Sequence, residues 1–336
     1  MHFFKAAISV LAVATASVLA SPLEDGMAAY KQQDYANALR FLKPLASSGD
    51  PLAEFTLGFM YQAGKGIQQS DQLAVSWFRK AAEQGLAGAQ HNLGSMYENG
   101  RGTARDYQQA FFWYRKAAEQ GFAKAQSNLG TMYEKGRGTT KNAHQAVFWY
   151  QKATEQGLAE AQTNLGFMLM QGQGVPRDDR RAVELFRAAA AQGNANAESN
   201  LGAMYEHGKG VTKDEKAAVA WYRNAAEQGF AAAQYNLAFM YEDGRGVPRD
   251  DQKAAQWYRK AAGQGYLDAQ NNLGLMYFQG RGVSKDVQQA FVWLLLASAG
   301  GSLEVAANRA LVERELTVDQ RARADTAARN WKPDQQ

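Results

Sequence analysis

Glycine pairs that flank one residue, often basic, are the first feature of this sequence that could do chemistry, because glycine-rich loops can hold phosphate groups. Gly64-Lys65-Gly66 is one of them. A dinucleotide-binding loop needs a further glycine at a fixed spacing, a P-loop needs Gly-Lys-Ser/Thr, and both follow a strand. None of these conditions is met: the further glycine and the Gly-Lys-Ser/Thr sequence are missing, and each Gly-x-Gly follows a helical pattern instead of a strand. We interpret these segments as structural turns.

Catalytic motifs are the second question. The histidines beyond the first twenty residues, His91, His144 and His207, are far apart and fall where related segments have other polar residues, which indicates surface positions. The chain has no Gly-x-Ser-x-Gly, Ser-x-x-Lys or His-Glu-x-x-His segment, so the usual hydrolase nucleophiles and zinc ligands are missing. With no cysteine, disulfides and thiolate chemistry are excluded. We predict no catalytic residue, no cofactor and no metal site.

The charge balance excludes one class of partner. Lys and Arg number 37 against 33 Asp and Glu, a net charge of +4 over 336 residues. A nucleic-acid binder relies on a larger and more concentrated positive excess. We therefore expect no nucleic-acid partner.

The first twenty residues differ from the rest. Lys5 precedes an almost wholly apolar run over residues 6–20, which ends in Val-Leu-Ala before Ser21. This pattern is typical of a bacterial secretory signal peptide, and the uncharged run is shorter than the ~20 residues that a membrane span requires. We predict a signal peptide over residues 1–20 and a periplasmic or secreted protein without a membrane span.

A repeat of 36 residues organises most of the remaining chain. Met60 to Met276 and Ala74 to Ala290 recur with this period without change, and a Trp column is interrupted only at Leu185. The leucines of the repeat are Leu57, Leu93, Leu129, Leu165, Leu201, Leu237 and Leu273. Seven full units are therefore present.

Each unit contains a first helix, which we name helix A. Ala89, Leu93, Met96 and Tyr97 share one face of it, and the glycine at position 100 ends it. The second helix, helix B, begins at a column of short polar residues that can cap its free amides. That column is Ser70, Asp106, Asn142, Asp178, Asp214, Asp250 and Asp286.

Helix B buries a stripe of Ala110, Trp113, Tyr114 and Ala117, so we predict that its Trp and Tyr columns belong to the core. One helix pair cannot bury both stripes, and neighbouring pairs must stack.

Both ends of the array are modified. Residues 21–48 resemble a partial unit whose B helix spans Tyr35 to Ala46. At the other end two leucines, Leu295 and Leu296, replace the Arg-Lys of earlier units, so the last helix B needs a cover. Segments 303–316 and 318–331 can supply it, the second beginning at a Thr-x-x-Gln capping box.

The unit AQSNLGTMYEKGRGTTKNAHQAVFWYQKATEQG resembles a Sel1-like repeat, a relative of the tetratricopeptide repeat, over residues 49–301. The resemblance implies an all-α fold: a right-handed α/α solenoid (superhelix) of seven 36-residue helix pairs, with a partial N-terminal unit and a C-terminal helical cap at residues 302–336. It also implies an adaptor function, often in bacterial envelopes, signalling or host contact.

The outer arc of helix A is the first candidate binding surface. Steps of 100° per residue place His91, Ser95 and Glu98 opposite the core. Beside this arc lies a column of amides that can donate to and accept from a peptide backbone. Those are Asn92, Asn128, Asn164, Asn200, Asn236 and Asn272. The candidate side-chain contacts are Phe167, Met170, Tyr235, Phe239 and Phe278. In the tetratricopeptide fold helix A lines the groove that takes peptides; alternatively, these asparagines bond neighbouring helices.

The second candidate surface is the edge formed by the A-to-B turns, which we name the basic edge. Its twelve cations are Lys65, Arg101, Arg105, Arg137, Lys141, Arg177, Lys209, Lys213, Arg245, Arg249, Arg281 and Lys285. A row of positive charge can meet an anionic polymer, or it can be a solvated ridge whose charge is partly cancelled by the adjacent capping Asp column.

We predict an exported, non-enzymatic and monomeric scaffold that binds a partner polypeptide along helices A. A binder of anionic envelope polysaccharide or peptidoglycan at the basic edge is the alternative, and an envelope hydrolase is the third reading.

Overall fold

The computed structural model describes residues 21–333, which form eighteen α-helices, one short 3₁₀ turn and no strand. The predicted signal peptide lies outside the described residues. None of the described helices is long and apolar enough to cross a membrane. The chain divides into two compact units, Met1–Gln120 and Gly121–Gln336, and in each the helices pack as consecutive pairs, which confirms the predicted all-helical repeat architecture.

The first unit contains three helix pairs. Its helices are α1 (Pro22–Lys31), α2 (Tyr35–Ser47), α3 (Pro51–Ala63), α4 (Asp71–Glu83), α5 (Ala87–Asn99) and α6 (Tyr107–Glu119). The pair formed by α1 and α2 lies where the partial unit was predicted, and its first helix is the shorter of the two.

The second unit contains five helix pairs and two closing helices. The pairs are α7 (Ala123–Lys135) with α8 (Ala143–Glu155), α9 (Ala159–Gln171) with α10 (Asp179–Ala190), α11 (Ala195–His207) with α12 (Glu215–Glu227), α13 (Ala231–Asp243) with α14 (Asp251–Gly263), and α15 (Leu267–Gln279) with α16 (Val287–Ala297). They are followed by α17 (Leu303–Glu313) and α18 (Val318–Asn330).

Local signals set the helix ends as predicted. The side chain of Asp106 accepts hydrogen bonds from the main-chain amides of Gln108 and Gln109 at the start of α6. All seven residues of the predicted capping column are N-caps. At the other end of each helix A a glycine such as Gly100, with φ of 67°, takes the left-handed conformation that ends the helix.

The core is built from the predicted Leu, Met and Ala columns and from an aromatic column of helix B. Leu93 and Ala110 are fully buried. The largest side chains that are almost wholly buried are Phe78, Tyr114, Tyr150, Phe186, Tyr222 and Tyr258. Within a pair, Gly94 makes room for the Tyr114 ring, because a side-chain carbon there would lie 2.8 Å from that ring.

The Trp column departs from the prediction that it is core. Within this column only Trp113 is buried, and the other five tryptophans of the column are half-buried at the edge of the core. A lysine ammonium lies 4.2 Å from the ring centroid of Trp77 and another lies 4.2 Å from that of Trp257. Each tryptophan lies directly before the buried aromatic column of helix B, so its side chain points about 100° away from that column around the helix. The indole therefore covers the margin of the core instead of filling its centre.

Polar side chains also link neighbouring pairs. Gln192 Nε2 donates to Gln162 Oε1 at 3.1 Å, and Gln264 Nε2 donates to Gln234 Oε1 at 2.8 Å. At two positions of the buried column the acceptor is a carboxylate: Gln84 Nε2 donates to Glu54 at 2.7 Å, and Gln228 Nε2 donates to Glu198 at 2.7 Å. Burial raises the pKa of Glu198 above its ordinary value.

The two closing helices cover the last pair, as the sequence predicts. Val312 of α17 and Ala324 of α18 are buried in one cluster with Phe291 and Leu294 of α16, against which Leu295 and Leu296 pack. The Thr317 hydroxyl accepts from the Gln320 amide, which confirms the capping box.

Candidate functional site

The asparagine column lies on one face of helices A, and all six residues are half-buried. Asn272 Nδ2 donates to Tyr258 Oη of the preceding pair at 3.1 Å, which fits the alternative of bonds between helices. Asn200 Nδ2 instead donates to the Asn196 carbonyl of its own helix at 2.9 Å. In the first unit, Asn92 Nδ2 is buried without a hydrogen-bond partner among the described residues. The column therefore does not have one role throughout, and its role in binding stays a prediction.

The five apolar candidates lie on three helices and differ in exposure. Phe167 on α9 is 38% exposed, whereas Met170 on the same helix packs against the core. On α13 the Tyr235 ring lies 5.7 Å from that of Tyr258, and Phe239 is half-buried. Phe278 on α15 packs against the cluster under the closing helices. Phe167 is thus the freest of the five to contact a partner.

A cleft of about 360 Å³ opens on α7, α9 and α11, and we name it the Glu134 cleft. It brings together three predicted site residues, Asn164, Phe167 and Asn200. The remaining lining residues are Thr131, Glu134, Lys135, Tyr150, Thr163 and Asn196. Amide, hydroxyl and charged groups beside one exposed aromatic ring can hold both the backbone and a side chain of a peptide.

A smaller cleft of about 220 Å³ opens on α13 and α15, and we name it the Glu242 cleft. It contains two predicted site residues, Phe239 and Asn272. Glu242, Asp243, Leu275 and Arg281 complete its lining. The face of helices A in the second unit therefore has more than one concave position.

A tyrosine of helix B bonds to a glutamate of helix A in both clefts. Tyr150 Oη donates to Glu134 Oε2 at 2.6 Å, and Tyr258 Oη donates to Glu242 Oε2 at 2.8 Å. Burial and the neighbouring carboxylate raise the pKa of Tyr150 and of Tyr258, so both phenols stay protonated and donate. The helical periodicity placed this glutamate column opposite the core and so did not predict the bond. The constant spacing of 16 residues between Glu and Tyr was the signal that could have indicated it.

An arginine from the next turn completes this arrangement at two glutamates. Arg245 Nη1 lies 2.8 Å from Glu206 Oε1, and Arg281 Nη2 lies 2.8 Å from Glu242 Oε1. Glu206 is buried and also accepts from Tyr222 Oη at 2.7 Å. Each carboxylate thus receives a phenol on one oxygen and a guanidinium on the other.

Acidic neighbours neutralise much of the basic edge. Arg101 pairs with Asp71 at 2.9 Å, and Lys213 pairs with Glu215 at 3.1 Å. The other paired cations of this edge are Arg177, Arg245, Arg249, Arg281 and Lys285. Most partners are the first residue of a helix B or a helix A glutamate and not the capping residue, so the edge carries less free charge than its row of cations suggests.

The histidines of the described residues lie on three different helices. His144 and His207 are exposed on different helices, and His91 Nδ1 lies 3.1 Å from Asn92 Oδ1. Within residues 21–333 no three His, Asp or Glu side chains come together in a way that could hold a metal ion.

Comparison with known proteins agrees with the repeat. The family model of the Sel1 repeat matches seven consecutive segments, residues 51–86, 87–122, 123–158, 159–194, 195–230, 231–266 and 267–302. A sequence comparison with curated proteins found no match.

Solved structures are similar over most of the chain. A Sel1 repeat protein from Oxalobacter formigenes is 33% identical with a TM-score of 0.66, over 84% of this chain and 85% of that one. The protective antigen c5321 of uropathogenic Escherichia coli, which displays an SLR fold, is 31% identical with a TM-score of 0.43, over 92% of this chain and 84% of its own. Yeast Tom70 is 14% identical with a TM-score of 0.50, over 97% of this chain and 69% of Tom70, and shows a likeness of fold.

Proposed function

Because this chain belongs to the Sel1 repeat family, whose helix pairs commonly mediate protein–protein interaction, we propose that it is an exported, non-enzymatic scaffold that binds a partner polypeptide. We place the binding surface on helices A of the unit Gly121–Gln336.

The Glu134 cleft is the observation that carries this proposal. It joins two asparagine side chains, Asn164 and Asn200, to the exposed ring of Phe167 on one concave surface. Asn164 has no side-chain hydrogen bond to another described residue, so its amide can donate to and accept from the backbone of an extended segment. An aromatic anchor beside such groups is a common centre of binding energy.

A non-catalytic role is in keeping with the family, whose members typically act as scaffolds. The three histidines are in keeping with it, because they lie on three different helices, α5, α8 and α11. An assay of envelope hydrolase activity with the purified chain tests this part, and turnover that survives repeated purification would contradict it.

Export rests on Lys5 and the apolar run over residues 6–20. N-terminal sequencing of the protein recovered from a bacterial periplasm or culture medium tests it. The expected first residue is Ser21, and a recovered protein that begins at Met1 in the cytoplasm would contradict export.

Affinity capture with a matched pair of variants tests the binding surface. Phe167→Ser removes an exposed ring from the Glu134 cleft, whereas Phe148→Ser removes a ring of the same type, 44% exposed, from a helix B of the same unit. The tagged chain is used to capture proteins from the envelope of its own cells, and each captured protein is quantified by mass spectrometry. We expect Phe167→Ser to lower capture of the partner roughly tenfold, since losing an anchor commonly costs over ~1 kcal/mol.

The control decides the interpretation. Phe148→Ser is expected to capture as the unaltered chain does, and circular dichroism must show both variants equally helical. Equal capture by Phe167→Ser and the unaltered chain, or an equal loss in both variants, would remove helices A from consideration.

A further inference from the structure

Glu134 differs from its equivalents in lacking an arginine. Glu206 and Glu242 each accept a guanidinium from the residue 39 positions later, Arg245 and Arg281. At the same distance from Glu134 the sequence has Gln173. At Glu134 the following unit therefore supplies a neutral and shorter side chain in place of a guanidinium.

The geometry at Glu134 leaves one carboxylate oxygen open. Its Oε2 accepts from Tyr150 Oη at 2.6 Å, as the Oε2 atoms of Glu206 and Glu242 accept from their own tyrosines. In those two residues Oε1 receives the arginine. Within the described chain, Oε1 of Glu134 receives no hydrogen bond and Glu134 forms no ion pair. Lys135 lines the same cleft without pairing to it.

The two clefts occupy equivalent positions in the repeat, and they are three periods of 36 residues apart. Glu134 and Asn164 correspond to Glu242 and Asn272. Arg281 lines the Glu242 cleft, whereas its counterpart Gln173 is exposed and does not line the Glu134 cleft. The Glu242 cleft, which contains the arginine, has a volume of about 220 Å³, and the Glu134 cleft, which lacks it, has about 360 Å³. This difference agrees with a position that the Arg281 side chain fills in the Glu242 cleft and that is open in the Glu134 cleft.

We propose that the Glu134 cleft binds an arginine side chain of the partner polypeptide, whose guanidinium takes the place that Arg245 and Arg281 fill from within the chain. This inference rests on the proposed function and names the chemistry of its partner. Glu134 Oε1 accepts from the guanidinium, and the side-chain carbonyl of Asn164 can accept a further N–H. The Phe167 ring offers a face for the planar cation or its stem.

Lysine is the poorer fit for this position. Its ammonium is a compact and strongly hydrated charge, whereas arginine presents several N–H groups in one plane and stacks on aromatic rings. Lys135 lies in the same cleft but does not pair with Glu134, because adjacent residues of a helix point in different directions, so the carboxylate stays open to a partner. The proposal therefore predicts a preference for arginine over lysine and over any neutral isostere.

Short peptides test this chemistry directly. The probe is the capped tripeptide acetyl-Ala-Arg-Ala-amide, titrated against the full chain at millimolar concentration and followed by NMR and calorimetry. Its counterparts contain citrulline, which keeps the shape and loses the charge, or lysine. We expect the citrulline peptide to bind at least tenfold more weakly and the lysine peptide to fall between the two. Free L-arginine, tested in parallel, should bind more weakly than the capped peptide.

Three variants give the test its direction. Glu134→Gln removes the charge and should weaken binding of the arginine peptide about tenfold. Gln173→Arg changes only an exposed turn residue. Its new guanidinium should pair with Glu134 and weaken binding of the peptide to the same extent. Arg281→Gln makes the Glu242 cleft resemble the Glu134 cleft and should raise the stoichiometry from one peptide to two. Circular dichroism confirms that each variant is folded.

The outcomes that overturn the proposal are distinct. They are no binding of the arginine peptide by the unaltered chain, equal binding of the citrulline peptide, tighter binding of free L-arginine than of the peptide, or unchanged binding by both Glu134→Gln and Gln173→Arg. If Phe167→Ser still abolishes partner capture in any of these cases, the scaffold function stands and only the arginine is withdrawn. If Phe167→Ser has no effect on capture while the peptide results hold, the cleft binds arginine but the scaffold surface lies elsewhere.

Discussion

A side-chain carbon on Gly102 would overlap the main-chain carbonyl oxygen of Asp71. Gly102 is the second glycine of a Gly-x-Gly turn, with φ of 66°, and Asp71 begins helix α4 of the preceding pair. The same overlap would occur between Gly246 and Glu215 in the second unit. The first glycine of the turn ends a helix, whereas the second lets one pair approach the next.

The two roles of glycine can be separated by a matched pair of substitutions. Gly102→Ala and Gly85→Ala both place a side chain at positive φ, 66° and 94°, and both should lose about 1 kcal/mol through the backbone. Only Gly102→Ala also meets a neighbouring backbone, since no atom lies within 4 Å of the place that a side-chain carbon at Gly85 would take. We expect the free energy of unfolding in urea to fall further for Gly102→Ala, by an additional amount of roughly 1–3 kcal/mol. Equal losses would mean that the contact between pairs contributes nothing.

The buried carboxyl of Glu198 gives a prediction with a defined pH dependence. Burial raises its pKa in the folded protein above the ordinary value of 4.5, so its contribution to stability is present at low pH and is lost as the pH rises through the raised pKa. Glu198→Gln removes the buried charge and keeps an acceptor for Gln228, as Gln162 does for Gln192. We expect the Tm to rise by about 2 °C at pH 7 and the gain to shrink toward pH 4.

The matching control for Glu198→Gln is Glu227→Gln, which removes the same charge from an exposed position of the neighbouring helix. Thermal melts of both variants at pH 4, 5.5 and 7 check the sign. A gain in Tm that is independent of pH, or that is equal in the two variants, would show that burial of Glu198 is not its cause.

The last helix pair, α15 with α16, should need the two closing helices in order to stay folded and soluble. Deletion of residues 303–336 removes Val312 and Ala324 from the cluster around Phe291 and leaves the apolar face of α16 in water. We expect the truncated protein to aggregate or to lose the helicity of α15 and α16, because an end of a repeat array needs a polar cap. Size-exclusion chromatography and circular dichroism check this, with deletion of residues 332–336 as the control. A monomeric truncation with an unchanged melting curve would contradict it.

The helices and their ends could be predicted because they depend on local rules repeated without interruption. Asp106 caps α6 and Gly100 ends α5 through contacts within a few residues, and the same residues return every 36 positions. Leu93 is buried in the structure because its column is apolar in every unit. Because the repeat length is constant, the pattern of one unit predicts the structure of the others.

The contacts between pairs could not be predicted from these rules. Helical steps of 100° place Glu206 away from the core, but they do not show that Tyr222 and Arg245 reach it from two other segments. The periodic pattern places Trp77 within the buried stripe, and only the packing of neighbouring pairs shows that it lies at the margin of the core. The candidate cleft depends on one departure from the repeat, Gln173, whose meaning is visible only once Arg281 is seen in the equivalent cleft.

The basic edge should bind anionic polymers weakly and only at low salt. Seven of its cations already have acidic partners, whereas Lys141 and Lys209 are exposed and form no ion pair within the described residues. Reversal of these two to Glu should lower retention on immobilised dextran sulfate at low ionic strength. Near 0.5 M salt, where the Debye length is about 4 Å, neither the variant nor the unaltered chain should be retained.

The control for this measurement is a double reversal of Arg323 and Arg329, which are exposed on the closing helix α18 and change the net charge equally. If Lys141 and Lys209 matter by position, their reversal lowers retention more than the control does. If they matter only through net charge, the two double variants elute together. Retention of the unaltered chain above 0.5 M salt would instead favour a dedicated anionic-glycan site over the scaffold, because screened surface charges alone cannot hold a polymer at that ionic strength.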